Sequence, residues 1–273
     1  MRVLCLNGWG GRLYERLVAY VAAVDPDVLC LQEVVKTPGT GQRWLTYRDQ
    51  GTALPQRANF LVDVAVALPH HTSIFCPAAE GDLFDGEQPY KSQWGLATFV
   101  RATIPIIGQT QGFVHGDYSS DGYGLHPRSR TAHAVRLFDV ELQQCITIAQ
   151  MHGLRDLSGK HDTPERHQQA NRFALLIMST ARPGEPVVAC GDFNLLPESK
   201  TFDVLRNIGL TDLVTGRGFR GTRTSFYPKR ERYADYMLVN DAVGVDAFEV
   251  VSEPEVSDHS PLLLTVGATL RQV

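Results

Sequence analysis

Residues 187–194 read VVACGDFN: a short apolar run, a glycine, then a carboxylate and an amide, Asp192 and Asn194, flanking Phe193. The run is too short for a helix and starts on two valines, so it predicts a buried strand that stops where its polar residues begin. The same pattern recurs in both directions along the chain. Asn7 follows MRVLCL, Glu33 follows DVLCLQ, His152 follows CITIAQM, and Asp258 and His259 precede PLLLTV. Buried strands carry their ends to one rim of a sheet, so residues far apart in sequence can converge on a single site. Hard divalent cations such as magnesium take oxygen ligands, which Asn7, Glu33 and Asp258 offer. The cysteines have no metal-ligand spacing, which disfavours zinc.

The apolar runs predict strands near 3–6, 28–31, 60–68, 96–100, 131–140, 145–149, 187–190, 236–239 and 262–266. Helical spacing appears in Leu13, Leu17, Tyr20, Val21 and Val24. It appears again from Asp162 to Met178, where Thr163 offers a cap, Pro164 a first-turn residue and Glu165 an early acid. A shorter helix is expected between Pro197 and Leu205. Loops are expected at 36–58, 78–93, 109–129, 153–163 and 211–231, lengths that are usually functional in a compact domain. Strands with several antiparallel neighbours around isolated helices suit a mixed α/β sandwich. No repeat or linker divides the chain, so residues 1–273 read as one domain.

The 273 residues are 43% apolar and 21% charged, which excludes disorder and low complexity. A net charge of −4 argues against binding nucleic acid by bulk charge, so any polyanion contact must be local. Five cysteines without CxxC spacing, four of them in apolar runs, suit a reducing compartment. With no signal-like amino terminus and no membrane-length apolar run, the expectation is a cytoplasmic protein with no membrane association. No protein partner is expected.

Taken in order, LNGW, DVLCLQEV, MHGL, GDFN, YADYMLV and SDHSPL resemble the motifs of the endonuclease/exonuclease/phosphatase superfamily, the deoxyribonuclease I-like phosphoesterases, over Asn7 to His259. The resemblance implies a four-layer α/β/β/α sandwich of two packed mixed sheets flanked by helices, with the active site at one sheet edge. It implies a Mg2+ cofactor, with Mn2+ as a substitute, held by Glu33 with Asn7 and Asp258. Asp192 would orient and deprotonate water, and Asn194 would donate to a phosphate oxygen. His152 and His259 would flank the phosphate, with Asp235 keeping the His259 ring charged or donating. Trp9 stands where many members carry a second Asn or Asp, which favours one metal. Residue by residue, Asp192 and Asn194 could also form an Asx turn, and Asp235 could pair with Arg230 or Arg232.

The 216–233 segment carries Arg217, Arg220, Arg223, Lys229, Arg230 and Arg232 against Glu231, and Phe219, Phe226 and Tyr227 could stack on bases. His126, Arg128 and Arg130 form a smaller basic group. The expected function is a magnesium-dependent phosphodiesterase with nucleic acid, or a nucleic-acid adduct, as substrate. The alternatives are a lipid or inositol phosphate phosphoesterase of the same fold and a silent nucleic-acid-binding regulator.

Overall fold

The computed structural model describes residues 1–49 and 51–268. Its first half runs β1 (Arg2–Asn7), α1 (Tyr14–Val24), β2 (Val28–Lys36), β3 (Trp44–Asp49), β4 (Thr52–Arg57), α2 (Phe60–Ala67), β5 (His71–Asp85), β6 (Gln88–Arg101) and β7 (Ile106–His115). It continues with β8 (Arg130–Asp139), β9 (Gln144–His152), α3 (Pro164–Thr180), β10 (Val187–Asp192), α4 (Thr201–Arg206), β11 (Thr211–Asp212) and α5 (Leu213–Gly216). The chain then closes with β12 (Asp235–Val239), β13 (Gly244–Val250) and β14 (Leu262–Gly267).

Central strands are apolar throughout because both of their faces are buried. In β1, Val3 and Cys5 point into the core shared with the second sheet, whereas Leu4 and Leu6 point to the layer of α1 and α2. An eight-stranded sheet, ordered β13-β14-β1-β2-β6-β5-β3-β4, packs on a six-stranded sheet, ordered β11-β12-β10-β9-β8-β7. Helix α3 covers the outer face of the second sheet, giving the expected α/β/β/α layering. Thr163 caps α3 by accepting from the Arg166 amide at 3.3 Å. Between the sheets, Gln32 Nε2 donates to Gln150 Oε1 at 2.8 Å, and Gln150 Nε2 donates to the Ala97 carbonyl. One buried amide thus donates to the other across the core, and the second donates back to the first sheet through Ala97 and Thr98.

Topology explains why polar residues follow some runs and precede others. Strand β1 is parallel to β2, and β9 to β10, so Asn7 lies opposite Gln32 and Asp192 opposite His152. Strand β12 is antiparallel to β10 and brings its first residue, Asp235, opposite Asp192. Strand β14 is antiparallel to β1 and likewise begins at that rim.

The structure corrects several elements. Residues 60–68 were expected as a strand, but 60–67 form α2: Phe60, Leu61 and Val64 are buried while Val62 and Val66 are 52% and 75% exposed. A continuous apolar run of this length does not distinguish helix from strand by periodicity. The expected loops at 36–58 and 78–93 hold the β3–β4 hairpin and the turn of the long β5–β6 hairpin. Residues 109–115 belong to edge strand β7, and 211–216 to β11 and α5. These segments are polar because they extend beyond the core or border solvent. The helix expected between Pro197 and Leu205 is shorter, Thr201–Arg206.

Candidate active site

Backbone irregularities aim the polar residues. Glu33 has φ 57° where the β2–β6 register shifts between Leu31 and Val34. A bulge with a non-glycine residue in the left-handed region is strained, and here it re-aims a carboxylate at the rim. Asn194 has φ 54°. Its amide donates to Asp192 Oδ1 at 3.0 Å, so the GDFN segment does make an Asx-type turn, which presents the pair at the rim. Gly191 has φ 143°, and a Cβ there would lie 2.0 Å from the Met151 carbonyl oxygen. A Cβ on Gly153 would lie 2.3 Å from the Phe193 carbonyl oxygen. Only glycine lets β9 and β10 close up at this end.

All eight residues expected from the sequence come to this rim. Asn7 Nδ2 donates to Glu33 Oε1 at 3.2 Å and to Asp192 Oδ2 at 3.0 Å, joining acids from the two sheets. Its Oδ1 accepts from the Trp9 amide, so a ligand role for Asn7 would use that oxygen's second lone pair. His259 Nδ1 lies 2.8 and 2.9 Å from the two Asp235 oxygens. Asp235 therefore pairs with His259 rather than with Arg230 or Arg232. His259 Nε2 lies 3.6 Å from Asp192 and 3.8 Å from Asp258. His152 Nε2 lies 3.7 Å from the same Asp192 oxygen, with its ring against Trp94 at 5.2 Å. Asn194 Nδ2 donates to the Gly153 carbonyl at 3.3 Å.

The charges are crowded. Burial, and then the neighbouring Asp258, push the Glu33 carboxyl up to about 7. Burial raises Asp235 to about 7 as well. Of the two states expected for the His259 ring, charged or donating, the free protein disfavours the charged one: burial, reinforced by Arg223, pushes its imidazolium down to about 4, outweighing nearby carboxylates. His152 is driven well below the usual histidine range by burial and Arg130. Both rings are neutral in the free protein near pH 7.

The donor set fits a hard divalent cation. Asp258 Oδ2 accepts from Arg223 Nη1 at 2.8 Å, but Asp258 Oδ1 is buried without a hydrogen-bond partner among the described residues. A buried carboxylate oxygen left unmatched beside a second carboxylate is costly unless a cation joins them. Among the described residues, Asp192, Asp235 and His259 also place one ligand atom each within 4.8 Å of one another. There, however, Asp235 is engaged by the His259 ring, whereas Asp258 Oδ1 is open. Glu33 and Asp258 are the better pair for a metal, with Asn7 beside Glu33.

The rim forms the floor of a cleft of about 730 Å³. The 216–233 loop is one wall, but most of its arginines do not serve as the sequence suggests. Arg223 is paired with Asp258, and Arg232 donates to the carbonyls of Arg223, Thr224 and Tyr227. Phe219 packs on Phe248 at 5.6 Å, away from any stacking role. Arg217, Arg220 and Arg230 are exposed but do not line the cleft, whereas Lys229 does. Phe226 meets Trp9 at the mouth, 6.2 Å between centroids, and Arg12 lies 3.9 Å over the Trp9 ring.

The opposite wall is more cationic than expected. Arg130 is buried, donates to the Gly153 carbonyl at 2.9 Å and lies 4.9 Å over Trp94. Burial lowers its pKa to about 10 while Glu33 and Asp192 oppose that shift, so it faces the floor. Arg155, from the 153–163 loop, also lines the cleft on this side, whereas Lys160 of the same loop reaches across to the 216–233 segment, donating to the Tyr233 carbonyl and lying 5.7 Å from the Tyr227 ring centre. Sequence reasoning missed both. Their one signal was a long loop directly following His152.

The sequence profile described as the Endonuclease/Exonuclease/phosphatase family matches residues 4–259. No curated protein matches the chain by sequence alone. Among solved structures, a mannosyl-6-phosphatase from Bacteroides thetaiotaomicron is 16% identical with a TM-score of 0.68, covering 98% of this chain and 99% of its own. An endonuclease/exonuclease/phosphatase from Beutenbergia cavernae is 18% identical, TM-score 0.69, covering 98% of this chain and 71% of its own. The human Nocturnin catalytic domain is 16% identical, TM-score 0.62, covering 98% and 94%. At these identities the likeness concerns the fold, and the family match spans nearly the whole sequence. The chain belongs to the Endonuclease/Exonuclease/phosphatase family.

Proposed function

We propose that the protein is a magnesium-dependent phosphodiesterase, with Mn2+ as a substitute, that acts on nucleic acid or a nucleic-acid adduct. The observation that carries the metal-dependent reading is the buried Asp258 Oδ1, without a hydrogen bond among the described residues, beside a Glu33 carboxyl whose pKa is raised by burial and then by Asp258. Glu33 and Asp258, with Asn7, would hold the cation, which when bound supplies positive charge to the phosphoryl oxygens.

The chain's own residues account for the rest. Asp192, held by Asn7 on Oδ2 and by the Asn194 amide on Oδ1, is placed to orient water and take its proton. Asn194 Nδ2, His152 and Arg130 converge from the 153 side and can donate to non-bridging oxygens as charge builds there. With Nδ1 held by Asp235, His259 presents Nε2 to the cleft. A phosphate arriving there favours the imidazolium, so a ring neutral in the free protein gains a proton with its substrate.

The nucleic-acid assignment rests on the cationic cleft, since Arg12, Arg130, Arg155, Lys160 and Lys229 line it without carboxylate ion pairs among the described residues. Walls on both sides of the floor suit a strand end or a single strand better than the interior of a duplex. The test is a substrate panel with magnesium: single- and double-stranded DNA, abasic DNA, RNA, a 5′-tyrosyl adduct, inositol phosphates and sphingomyelin. Turnover confined to nucleic-acid members, and lost on chelation, is the expected result. Preferential hydrolysis of an inositol phosphate or sphingomyelin would transfer the assignment to the lipid-phosphate class.

A further inference from the structure

The cleft wall opposite the 216–233 loop holds more positive charge than the catalytic floor accounts for. Arg128, Arg130, Arg155 and His126 are close enough for the guanidinium groups to disfavour one another's protonated neighbours: Arg128 and Arg155 both depress His126, after burial, and both act on Arg130. Among the described residues one carboxylate forms ion pairs with this group, while Glu33 and Asp192 act on Arg130 from the floor. Asp49 accepts from Arg128 Nη2 at 2.8 Å and lies 3.8 Å from His126 Nε2. Arg128 is further held by the Tyr47 hydroxyl at 2.5 Å and the Gly124 carbonyl at 3.2 Å, so it is fixed in place. Arg155 has no such tie: it is exposed, lines the cleft, and no hydrogen bond or ion pair engages it among the described residues. The neighbouring Asp156 does not serve it, because that carboxylate closes a turn onto the Ser158 amide and hydroxyl at 2.8 and 2.7 Å.

The floor does not need Arg155. Its acids face Arg223 and Arg130, and the groups that would meet a scissile phosphate are Asn194, His152, His259 and Arg130. Arg155 instead groups with the wall, close enough to His126, Arg130 and His152 to act on all three, and it makes no ion pair with the floor carboxylates among the described residues. A guanidinium lining a cleft wall without a carboxylate partner is suited to a phosphoryl group, whose oxygens match its planar fork.

We infer that Arg155, backed by Arg128 and His126, forms a second anion subsite that takes a further phosphate of the same substrate, next to the one hydrolysed at the floor. This deepens the phosphoesterase reading and rests on it for the identity of the floor. The second phosphate belongs either to a polynucleotide chain or to a small bisphosphorylated molecule, and the two sources differ in what joins the phosphates.

The test measures binding, which does not require turnover. Thymidine 5′-monophosphate is compared with thymidine 3′,5′-bisphosphate, and fructose 6-phosphate with fructose 1,6-bisphosphate, by titration calorimetry at fixed ionic strength with magnesium. In the wild type the second phosphate should tighten nucleotide binding by about tenfold or more, the effect of one charge-assisted hydrogen bond. Arg155→Gln should remove most of that gain, and Arg220→Gln, an exposed arginine outside the cleft, should keep it. A gain confined to the sugar pair would sustain the subsite and refute the nucleic-acid reading. Equal affinities within both pairs in the wild type, or a gain that Arg155→Gln leaves intact, would overturn the subsite. A protein that binds as expected but hydrolyses no phosphoester would overturn the catalytic reading instead.

Discussion

The two walls of the cleft use arginine in opposite ways. On the 216–233 side, Arg223 and Arg232 are spent inside the protein, one on Asp258 and the other on three backbone carbonyls. On the other side, Arg130 and Arg155 have no carboxylate ion pair among the described residues. The first wall is richer in basic residues along the sequence, yet the second offers more of its charge to the cleft. A run of cations in sequence reports how much charge is present, and only the local partners decide how much is left for a ligand.

The sharpest way to break this comparison is to remove what both walls flank. Asp192→Asn keeps the size of the side chain and should lower kcat on any phosphodiester substrate by on the order of 10² to 10⁴. Single-turnover rates check this, and a near-wild-type rate would leave the walls flanking a different chemical centre.

Next come the walls themselves. Arg223 and Asp258 have side chains only 7% and 12% exposed, so Arg223→Gln strands a buried carboxylate and should cost about 3 kcal/mol of stability without metal. Denaturant melts with and without magnesium should show the loss and its partial recovery as a cation takes over the role of Arg223 at Asp258. Arg130→Gln should instead weaken inorganic phosphate binding about tenfold, read by calorimetry. If the two variants exchange phenotypes, the division between bracing and binding walls is wrong.

The pH dependence sharpens the contrast further. Glu33 has a folded pKa raised from 4.5 to about 7, so between these values the native state holds a proton that the unfolded chain has released. Stability contributed at this site is therefore lost as pH rises from about 4.5 to about 7 in metal-free protein. His259, lowered to about 4, acts with the opposite sign between about 4 and 6.5, so the informative quantity is the difference between wild type and Glu33→Gln. The variant should gain relative stability across the Glu33 window, and magnesium should shrink the gap. Parallel melting curves would remove Glu33 as the source of the strain.

The smallest effect is expected where the sequence looked most suggestive. Neutralising Arg217, Arg220 and Arg230 together should change the salt dependence of polynucleotide binding by less than the roughly one unit per phosphate contact that each would give if it tracked the backbone. A drop near three units would return the binding role to this wall.

The floor was legible in the sequence for a definite reason. Asn7, Glu33, His152, Asp192, Asn194 and His259 each border an apolar strand, and a strand end is a position that chain order alone can place. Residues 60–67 were misread because a fully apolar octet buries one stripe as a helix as readily as one face as a strand. Arg155 and Lys160 were invisible because their place depends on where a loop lands, which no local pattern encodes. The sequence left the His259 ring charged or donating, because a carboxylate partner is visible there and the depth of burial, which disfavours the charged form, is not.

Asn7 gives these observations a mechanical side. Its amide is a stitch between a carboxylate carried by one sheet and a carboxylate carried by the other. Any sliding of the two sheets must stretch that stitch before it disturbs the apolar layer behind it. Warming should therefore blunt turnover at temperatures where the sandwich is still folded, and the gap between the temperature of peak activity and the melting temperature becomes a gauge of how firmly the sheets are held in alignment.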